Sequence, residues 1–270
     1  MLGNVFSPYY AAARRKRSTS PLDFVAMNAV VYGPEARWAL TERAGALRSG
    51  SDLLIGNSSM RWEGDSLVVD IDERAAPIPR PLRGRIRFHP SSLDGRARAL
   101  DAGGIHRWHP IAPSGEVEVD LSEPRISFRG TGYLDANRGD APLEETFSSW
   151  SWYRIAGRPG AAISYRTRER DGRLGAIDVE LDRGRLRDRD LVSSHDLGPT
   201  RWGLSRTCAA AERERVVLTR TLEDTPFYAR SQIEVVRDKE RLAGVHETLS
   251  LDRFAKRWVQ LLLPARMRRG

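Results

Sequence analysis

The sequence predicts an all-β protein built from antiparallel strands. Three observations predict it: short runs in which apolar and polar residues alternate, turn residues between these runs, and a scarcity of helical periodicity. Successive side chains of a strand point to opposite faces, so each alternating run can bury one face and leave the other polar. Strands in this number should stack or close on themselves, because open sheet edges invite aggregation.

The alternating runs give the expected strands in order. Residues 66–73 (SLVVDIDE) and 116–121 (EVEVDL) alternate with a period of two. Similar runs occupy 83–89, 125–133, 162–168, 177–181, 215–220, 227–236 and 244–251. Helix is expected only at residues 11–17 and 253–262.

Turn residues indicate how the strands are connected. Asp171 and Gly172 form a dipeptide between two runs, which is typical of a hairpin. The segment GRPG at 157–160 is the best candidate for a boundary. We therefore expect an N-terminal β half over 1–156 and a C-terminal β half over 157–270.

Composition excludes several classes of protein. The chain has 270 residues, of which 40% are hydrophobic and 30% charged, a balance that argues against disorder and against a membrane-spanning protein. Its first residues lack the pattern of a secretory signal. The single cysteine, Cys208, excludes an intrachain disulfide framework and a cysteine-rich zinc site, and we expect it to be a small buried side chain in a reducing compartment.

The net charge of +8 is spread along the chain, with local clusters at residues 14–17 and at Arg266, Arg268 and Arg269. Such clusters either hold a protein on an anionic membrane surface or are solvated tails. Nucleic acid is not an expected partner, because no recognised binding motif accompanies the charge.

Two pairs of polar and aromatic residues stand out. His106 and Trp108 are two residues apart, as are Tyr133 and Asp135, so each pair shares one side of an extended strand. A carboxyl among aromatic rings loses solvation, so its pKa rises and it can act as a neutral proton donor. Aromatic faces attract the cation that such an acid would create, and His106 can relay a proton or hold a water molecule.

A purely structural interpretation of the same residues stays open. Trp108 would be a core residue, Tyr133 would donate a hydrogen bond to the backbone, and Asp135 with Asn137 would cap a turn. A metal site is disfavoured because His106 and His109 would face opposite sides of a strand. The sequence contains no phosphate-binding loop and no nucleophile elbow, so neither a metal nor a nucleotide cofactor is expected.

Long segments of the chain resemble the carotenoid 1,2-hydratases, also called hydroxyneurosporene synthases. The matching segments are VFSPYYAAARR at 5–15, RWALTER at 37–43, LVVDIDE at 67–73, HRWHPIAP at 106–113, GYLDANRGDAPLEETFSSWSW at 132–152, TRTLEDTPFYARS at 219–231, HETLSLDRF at 246–254 and WVQLLLPARM at 258–267. The length of these motifs and their conserved order along the chain make the resemblance specific.

The resemblance implies a bacterial, cofactor-independent hydro-lyase that adds water across the terminal C1=C2 bond of an acyclic carotenoid such as neurosporene or lycopene. It implies acid–base and cation-handling roles for His106 with Trp108 and for Tyr133 with Asp135. It also implies a lipocalin-like barrel or sandwich of two packed β halves. Members usually carry a further strand segment before the VFSPYY motif, so we expect the N-terminal half to lack its first strand.

An insoluble substrate implies a cytoplasmic protein peripheral to the inner or photosynthetic membrane, with Tyr9 and Tyr10 as candidate interfacial contacts. Two alternatives to the hydratase stay open. One is a non-catalytic lipocalin-like carrier of a polyene or another lipid, and the other is a polyene cyclase on the same fold. An ionisable Asp135 in an apolar cavity favours the hydratase over the carrier, since a carrier does not need that costly group.

Overall fold

The computed structural model describes residues 1, 3–4, 6–16, 19–157, 161–191, 193–237 and 240–270. Up to residue 139 the elements are α1 (Pro8–Lys16), a 3₁₀ helix (Pro21–Asp23), β1 (Val25–Val31), β2 (Arg37–Arg43), β3 (Leu47–Ser49), β4 (Asp52–Ile55), β5 (Ser58–Glu63), β6 (Ser66–Arg74), β7 (Pro81–Pro90), β8 (Arg98–Ala99), β9 (His106–Glu123) and β10 (Ile126–Gly139). The remaining elements are α2 (Leu143–Thr146), β11 (Phe147–Ala156), β12 (Ala161–Glu169), β13 (Leu174–Asp182), β14 (Arg185–Asp188), β15 (Ser193–Asp196), β16 (Thr207–Ala210), β17 (Glu214–Asp224), β18 (Tyr228–Arg237), β19 (Glu240–Ser250), α3 (Leu251–Phe254), α4 (Arg257–Arg266) and β20 (Arg268–Arg269).

Two large sheets contain most of the strands. The first has the order β10-β9-β7-β6-β5-β4-β3, with β8 paired to β9, and the second has the order β14-β13-β12-β11-β19-β18-β17. Smaller sheets join β1, β2 and β20, and β15 with β16. Strand β20 pairs with β2 in parallel, whereas β1 with β2, β12 with β13 and β18 with β19 pair antiparallel. The predicted antiparallel all-β class is confirmed, and each large sheet runs as an open path.

The chain divides into two compact units that are discontinuous in sequence. Unit 1 contains Met1–Pro90, Gly115–Gly132 and Gln260–Gly270, and unit 2 contains Ser91–Ser114 and Tyr133–Val259. Residues 158–160 of the predicted boundary segment lie outside the described residues, so the division at residue 157 stays a prediction.

The core of unit 1 arises from the alternation that the sequence shows. The side chains that meet there come from β1, β2, β6, β7 and β9, and they are Ala29, Ala39, Ile71, Leu82, Val119 and Leu121. Each strand thereby buries one face, as expected for a sheet with one solvated side.

The seven-stranded sheet of unit 2 also has two different faces. Tyr153 and Ile155 of β11 point into an apolar core. This core also contains Ala162, Leu197, Cys208, Ala210, Val216, Ile233 and Val235, and the burial of Cys208 confirms the prediction for that residue. Trp150, Trp152 and Arg154 alternate with these core residues along β11 and so lie on the opposite face.

The hairpin at residues 171–172 and the two predicted helices are present, whereas helix α2 was not predicted. The residues between β12 and β13 include Gly172, whose φ of +91° is a conformation that glycine adopts without strain. Helix α1 covers most of the first predicted helix, and α3 and α4 cover the second. Crossing a bilayer takes a helix of about 20 apolar residues, and none of the helices in the described residues meets that requirement.

Candidate active site

Strands β9 and β10 carry the four residues that the sequence singled out, and all four belong to unit 2. His106 and Trp108 lie near the start of β9, and both side chains are buried. Tyr133 and Asp135 lie in the second half of β10, and both are half-buried. The structure brings Trp108, Tyr133 and Asp135 into direct contact.

Two donors meet at one oxygen of the Asp135 carboxyl. The indole Nε1 of Trp108 donates to Oδ2 over 2.9 Å, and the phenolic hydroxyl of Tyr133 donates to the same atom over 3.0 Å. Both groups donate hydrogen bonds here, so they stabilise negative charge on Oδ2. In the purely structural interpretation Tyr133 donates to the backbone, whereas in the structure it donates to the Asp135 side chain.

Burial sets the protonation states around Asp135. It raises the pKa of the Asp135 carboxyl, and the hydrogen bonds from Trp108 and Tyr133 act against that rise. Burial also raises the pKa of Tyr133 and of Tyr165, and the charge of Asp135 adds to both shifts. Both phenols therefore keep their hydrogens at neutral pH, and Tyr133 stays a donor.

Aromatic rings from β11 and β12 pack against the two rings that bond to this carboxyl. The ring of Tyr165 lies 5.9 Å from that of Trp108 and 5.7 Å from that of Trp150, measured between centroids. The ring of Trp152 lies 5.6 Å from that of Tyr133. This arrangement leaves a carboxyl in weakly solvating surroundings, which is the environment of a neutral acid.

Two arginines lie over the aromatic rings that bond to Asp135. The Arg98 guanidinium is 6.0 Å from the Trp108 ring centroid, and the Arg154 guanidinium is 5.3 Å from that of Tyr133. These positive charges favour the ionised form of a nearby carboxyl. The site therefore contains features that raise the pKa of Asp135 and features that lower it.

His106 contacts a different set of residues. Its Nε2 is 3.1 Å from the Thr146 hydroxyl, and its ring centroid is 5.0 Å from that of Phe147. The backbone N–H of His106 donates to Asp101. Burial lowers the pKa of the imidazole, which favours its neutral form. Its predicted role in proton relay or water binding stays a prediction.

The sequence reasoning missed Tyr165 and Glu247. In the sheet, Trp152 of β11 lies opposite Tyr165 of β12 on one side and opposite Glu247 of β19 on the other. The Arg230 side chain of β18 donates to Glu247. The aromatic density of residues 147–153 was a signal for this face, but the spacing of residues in the sequence does not reveal which strands pair.

Metal-ligating groups are scattered. Across the part of the chain that the structure describes, no three His, Cys, Asp or Glu side chains cluster closely enough to hold a metal ion. His109, the neighbour of the candidate pair, lies 2.6 Å from the Asp94 carbonyl oxygen through its Nε2.

Known proteins resemble this chain along its whole length. The model of the family described as "Carotenoid hydratase CrtC" matches residues 1–270. An acyclic carotenoid 1,2-hydratase of Thiocapsa roseopersicina is 44% identical, over 100% of this chain and 68% of its own length. Relatives of the same name from Rubrivivax gelatinosus and Cereibacter sphaeroides are 38% and 35% identical, over 99% of this chain and over 68% and 96% of their own lengths.

A solved structure shares the fold. The crystal structure of CghA with Sch210972 has a TM-score of 0.52 and 10% sequence identity, over 84% of this chain and 74% of that chain. At this identity the likeness concerns the fold alone. The family match, by contrast, runs from the first residue to the last, and on that ground the chain belongs to the carotenoid hydratase family.

Proposed function

We propose that the chain adds water across the terminal C1=C2 bond of an acyclic carotenoid, such as neurosporene or lycopene, and forms a tertiary alcohol at C1. The observation that carries the proposal is the convergence of Trp108 and Tyr133 on one oxygen of Asp135 inside aromatic surroundings. The names of the related proteins supply the substrate class.

Asp135 is the acid in this proposal. Oδ2 accepts both side-chain donors, so Oδ1 carries the acidic hydrogen and transfers it to C2. A tertiary cation then forms at C1. The carboxyl becomes a carboxylate in the same step, and the bonds from Trp108 and Tyr133 strengthen as charge develops on Oδ2. These donors therefore stabilise the transition state more than the starting acid.

Water completes the reaction. The faces of the aromatic rings around Asp135, including Trp152 and Tyr165, stabilise the cation at C1 until a water oxygen attacks it. The oxonium that results returns a proton to Asp135, which restores the acid. His106, as a neutral imidazole, is the proposed group for holding the water. The net change is the addition of one water molecule, without oxidation or reduction.

The test is hydration of lycopene or neurosporene in liposomes, followed as a mass gain of one water. Asp135→Asn keeps the shape of the side chain but cannot donate the same proton, so we expect product formation to fall about 100-fold or more. Binding without product by the unchanged chain would indicate a carrier, and an isomer of unchanged mass would indicate a cyclase. Full activity of Asp135→Asn would refute the role of Asp135.

We also propose that the protein takes its substrate from a membrane surface. Helix α4 exposes Trp258 and Leu261, at 49% and 80%, as well as Leu262, while its Val259 is buried. The exposed ring of Trp202 stacks on Trp258 at 5.9 Å. Tryptophan and leucine beside basic residues favour the interface of an anionic bilayer.

The earlier candidates for membrane contact fit less well. Tyr9 and Tyr10 are half-buried rather than exposed. The Tyr9 hydroxyl donates to the Met267 carbonyl, and the Tyr10 ring packs against Phe24. Arg17 of the basic cluster lies outside the described residues.

Vesicle sedimentation tests the membrane contact. Trp258→Ser combined with Leu261→Ser should weaken binding to anionic vesicles, because it removes two exposed apolar side chains of α4. The control is Leu174→Ser, which removes an apolar side chain that is 70% exposed on β13. Equal binding by both variants would contradict this role of α4.

A further inference from the structure

Four side chains form a row across the seven-stranded sheet. Arg230, Glu247, Trp152 and Tyr165 come from β18, β19, β11 and β12, and each lies opposite the next in the strand register. Directly opposed residues of neighbouring strands share a face, with Cβ atoms about 5 Å apart. The row therefore runs from a cation, through a carboxyl, to the aromatic surroundings of the proposed acid.

Asp135 lies at the aromatic end of this row. It accepts bonds from Tyr133, whose ring packs against Trp152, and from Trp108, whose ring packs against Tyr165. Glu247 is the direct neighbour of Trp152, whereas Arg230 lies one strand farther away.

Arg230 pairs with Glu247 through two hydrogen bonds. Its Nε and Nη2 both donate to Oε1 of Glu247, over 2.9 and 2.6 Å, and the Glu247 side chain is only 15% exposed. Burial is the largest influence on the pKa of Glu247 and raises it, and the charge of Asp135 adds to the rise, while Arg230 and the Tyr228 hydroxyl oppose it in part. The two bonds from the guanidinium favour the ionised form of this carboxyl.

We propose that Glu247 is a positioning residue for the proposed hydration: its negative charge, held in place by Arg230, keeps Asp135 in the acid form that protonates the alkene. This inference rests on the proposed function. Glu247 and Asp135 interact electrostatically, whereas Arg230 lies on the far side of Glu247 from Trp152 in the strand register. Two neighbouring carboxyls rarely ionise together, and the one without a cation partner retains its proton.

The other charged groups near Asp135 act in the opposite direction. Arg154 lies over Tyr133 and Arg98 lies over Trp108, and both positive charges favour a carboxylate. Tyr133 and Tyr165 keep their hydrogens because burial raises the pKa of both, and the Tyr228 hydroxyl accepts from Arg230 Nε. Glu247 is thus the group in this set that favours the acid form by its charge.

Glu247 keeps its charge state throughout the proposed reaction. Asp135 gives its proton to C2, water forms the new bond to C1, and the proton released from that water returns to Asp135. The negative charge of Glu247 also favours the cation that forms at C1. Its effect is electrostatic, so it requires no contact with the substrate.

The experiment compares pH profiles of lycopene hydration. Glu247→Gln removes the charge while keeping the size of the side chain, and it should move the alkaline limb of the profile to lower pH by about one unit. Activity at neutral pH falls, and lowering the pH restores it. Glu247→Asp keeps the charge and should leave the limb within a few tenths of a unit of the original position.

Two further variants separate this effect from damage to the fold. Glu247→Gln combined with Arg230→Met replaces the ion pair by a neutral pair, so no buried charge is left unpaired. It should shift the alkaline limb in the same direction. Glu234→Gln is the matched control, because Glu234 pairs with Arg241 on the same two strands at a more exposed position. It should not shift the limb.

An unchanged alkaline limb in Glu247→Gln overturns the proposal, and so does an equal loss of activity at every pH. Infrared difference spectra follow the protonated Asp135 carboxyl without turnover. Its band is identified as the one that is absent in Asp135→Asn. Glu247→Gln should lose the acid band at lower pH than the unchanged chain. If the unchanged chain hydrates no carotenoid, the proposed function fails, and these spectra still decide the charge effect of Glu247.

Discussion

The hydrogen bond from Tyr133 to Asp135 allows a quantitative test of the proposed acid. Tyr133→Phe removes the hydroxyl that donates to Oδ2 at 3.0 Å. It keeps the ring that lies against Trp152 and below the Arg154 guanidinium. Trp108 still donates to the same oxygen, so the change removes one of two donors.

The expected loss of hydration rate in Tyr133→Phe follows from the charge that appears on Asp135. A hydrogen bond to a neutral group contributes about 1 kcal/mol, and one to a charged group about 2 kcal/mol. Proton transfer converts the acid into a carboxylate, so the variant loses about 1 kcal/mol of transition-state stabilisation. At 1.36 kcal/mol for each factor of ten, the rate falls about fivefold. The same difference raises the pKa of Asp135 by about 0.7 units, and the alkaline limb moves to higher pH.

The assay is the initial rate of lycopene hydration in liposomes over a range of pH. Tyr153→Phe is the control, because it removes a phenol from the opposite face of β11, within the apolar core. An unchanged rate in Tyr133→Phe, or an alkaline limb displaced to lower pH, would refute the reasoning. A fall of equal size in Tyr153→Phe would show that the loss does not depend on Asp135.

Three further predictions concern His106, the acid stability of unit 2 and its core. A Cβ at residue 139 would overlap the imidazole of His106, so Gly139→Ala should lower hydration as much as His106→Ala, with an unchanged circular dichroism spectrum. Burial lowers the pKa of His246 to about 4, so the unfolded chain binds a proton more readily below pH 6.5. Lowering the pH from 6.5 to 4 should then remove about 3 kcal/mol of stability, and His246→Gln should flatten this part of the urea-midpoint profile. Ile233→Ala should cost about 2–5 kcal/mol in urea unfolding, because Ile233 is fully buried in the core of unit 2.

Alternation predicted the strands that bury one face and solvate the other. Residues 66–73 are the example, since they form most of β6. Strand β11 was not predicted because its two faces do not separate into a polar and an apolar one: Trp152 and Arg154 share one face, and Ser151 and Tyr153 share the other. The predicted strand at 116–121 is shorter than β9, because β9 also contains Pro110 and Pro113, two residues that ordinarily end a strand.

The candidate site was predictable only as far as it lies within single strands. Spacing of two residues along a strand put Tyr133 with Asp135, and the structure adds the bond from Trp108 across to the same carboxyl. Tyr165 and Glu247 come from distant parts of the chain, and strand register brings them to Trp152. Register depends on tertiary packing, which single-sequence spacing does not contain.

The two-faced strand β11 has a consequence for how this protein can diverge. Successive codons encode residues under unrelated selective constraints, because Trp152 and Arg154 face the aromatic site while Tyr153 and Ile155 fill the core. Grafting only the site-facing positions of a relative onto this strand should therefore transfer substrate preference without lowering the melting temperature. A graft of the intervening core positions should lower the melting temperature and leave substrate preference unchanged.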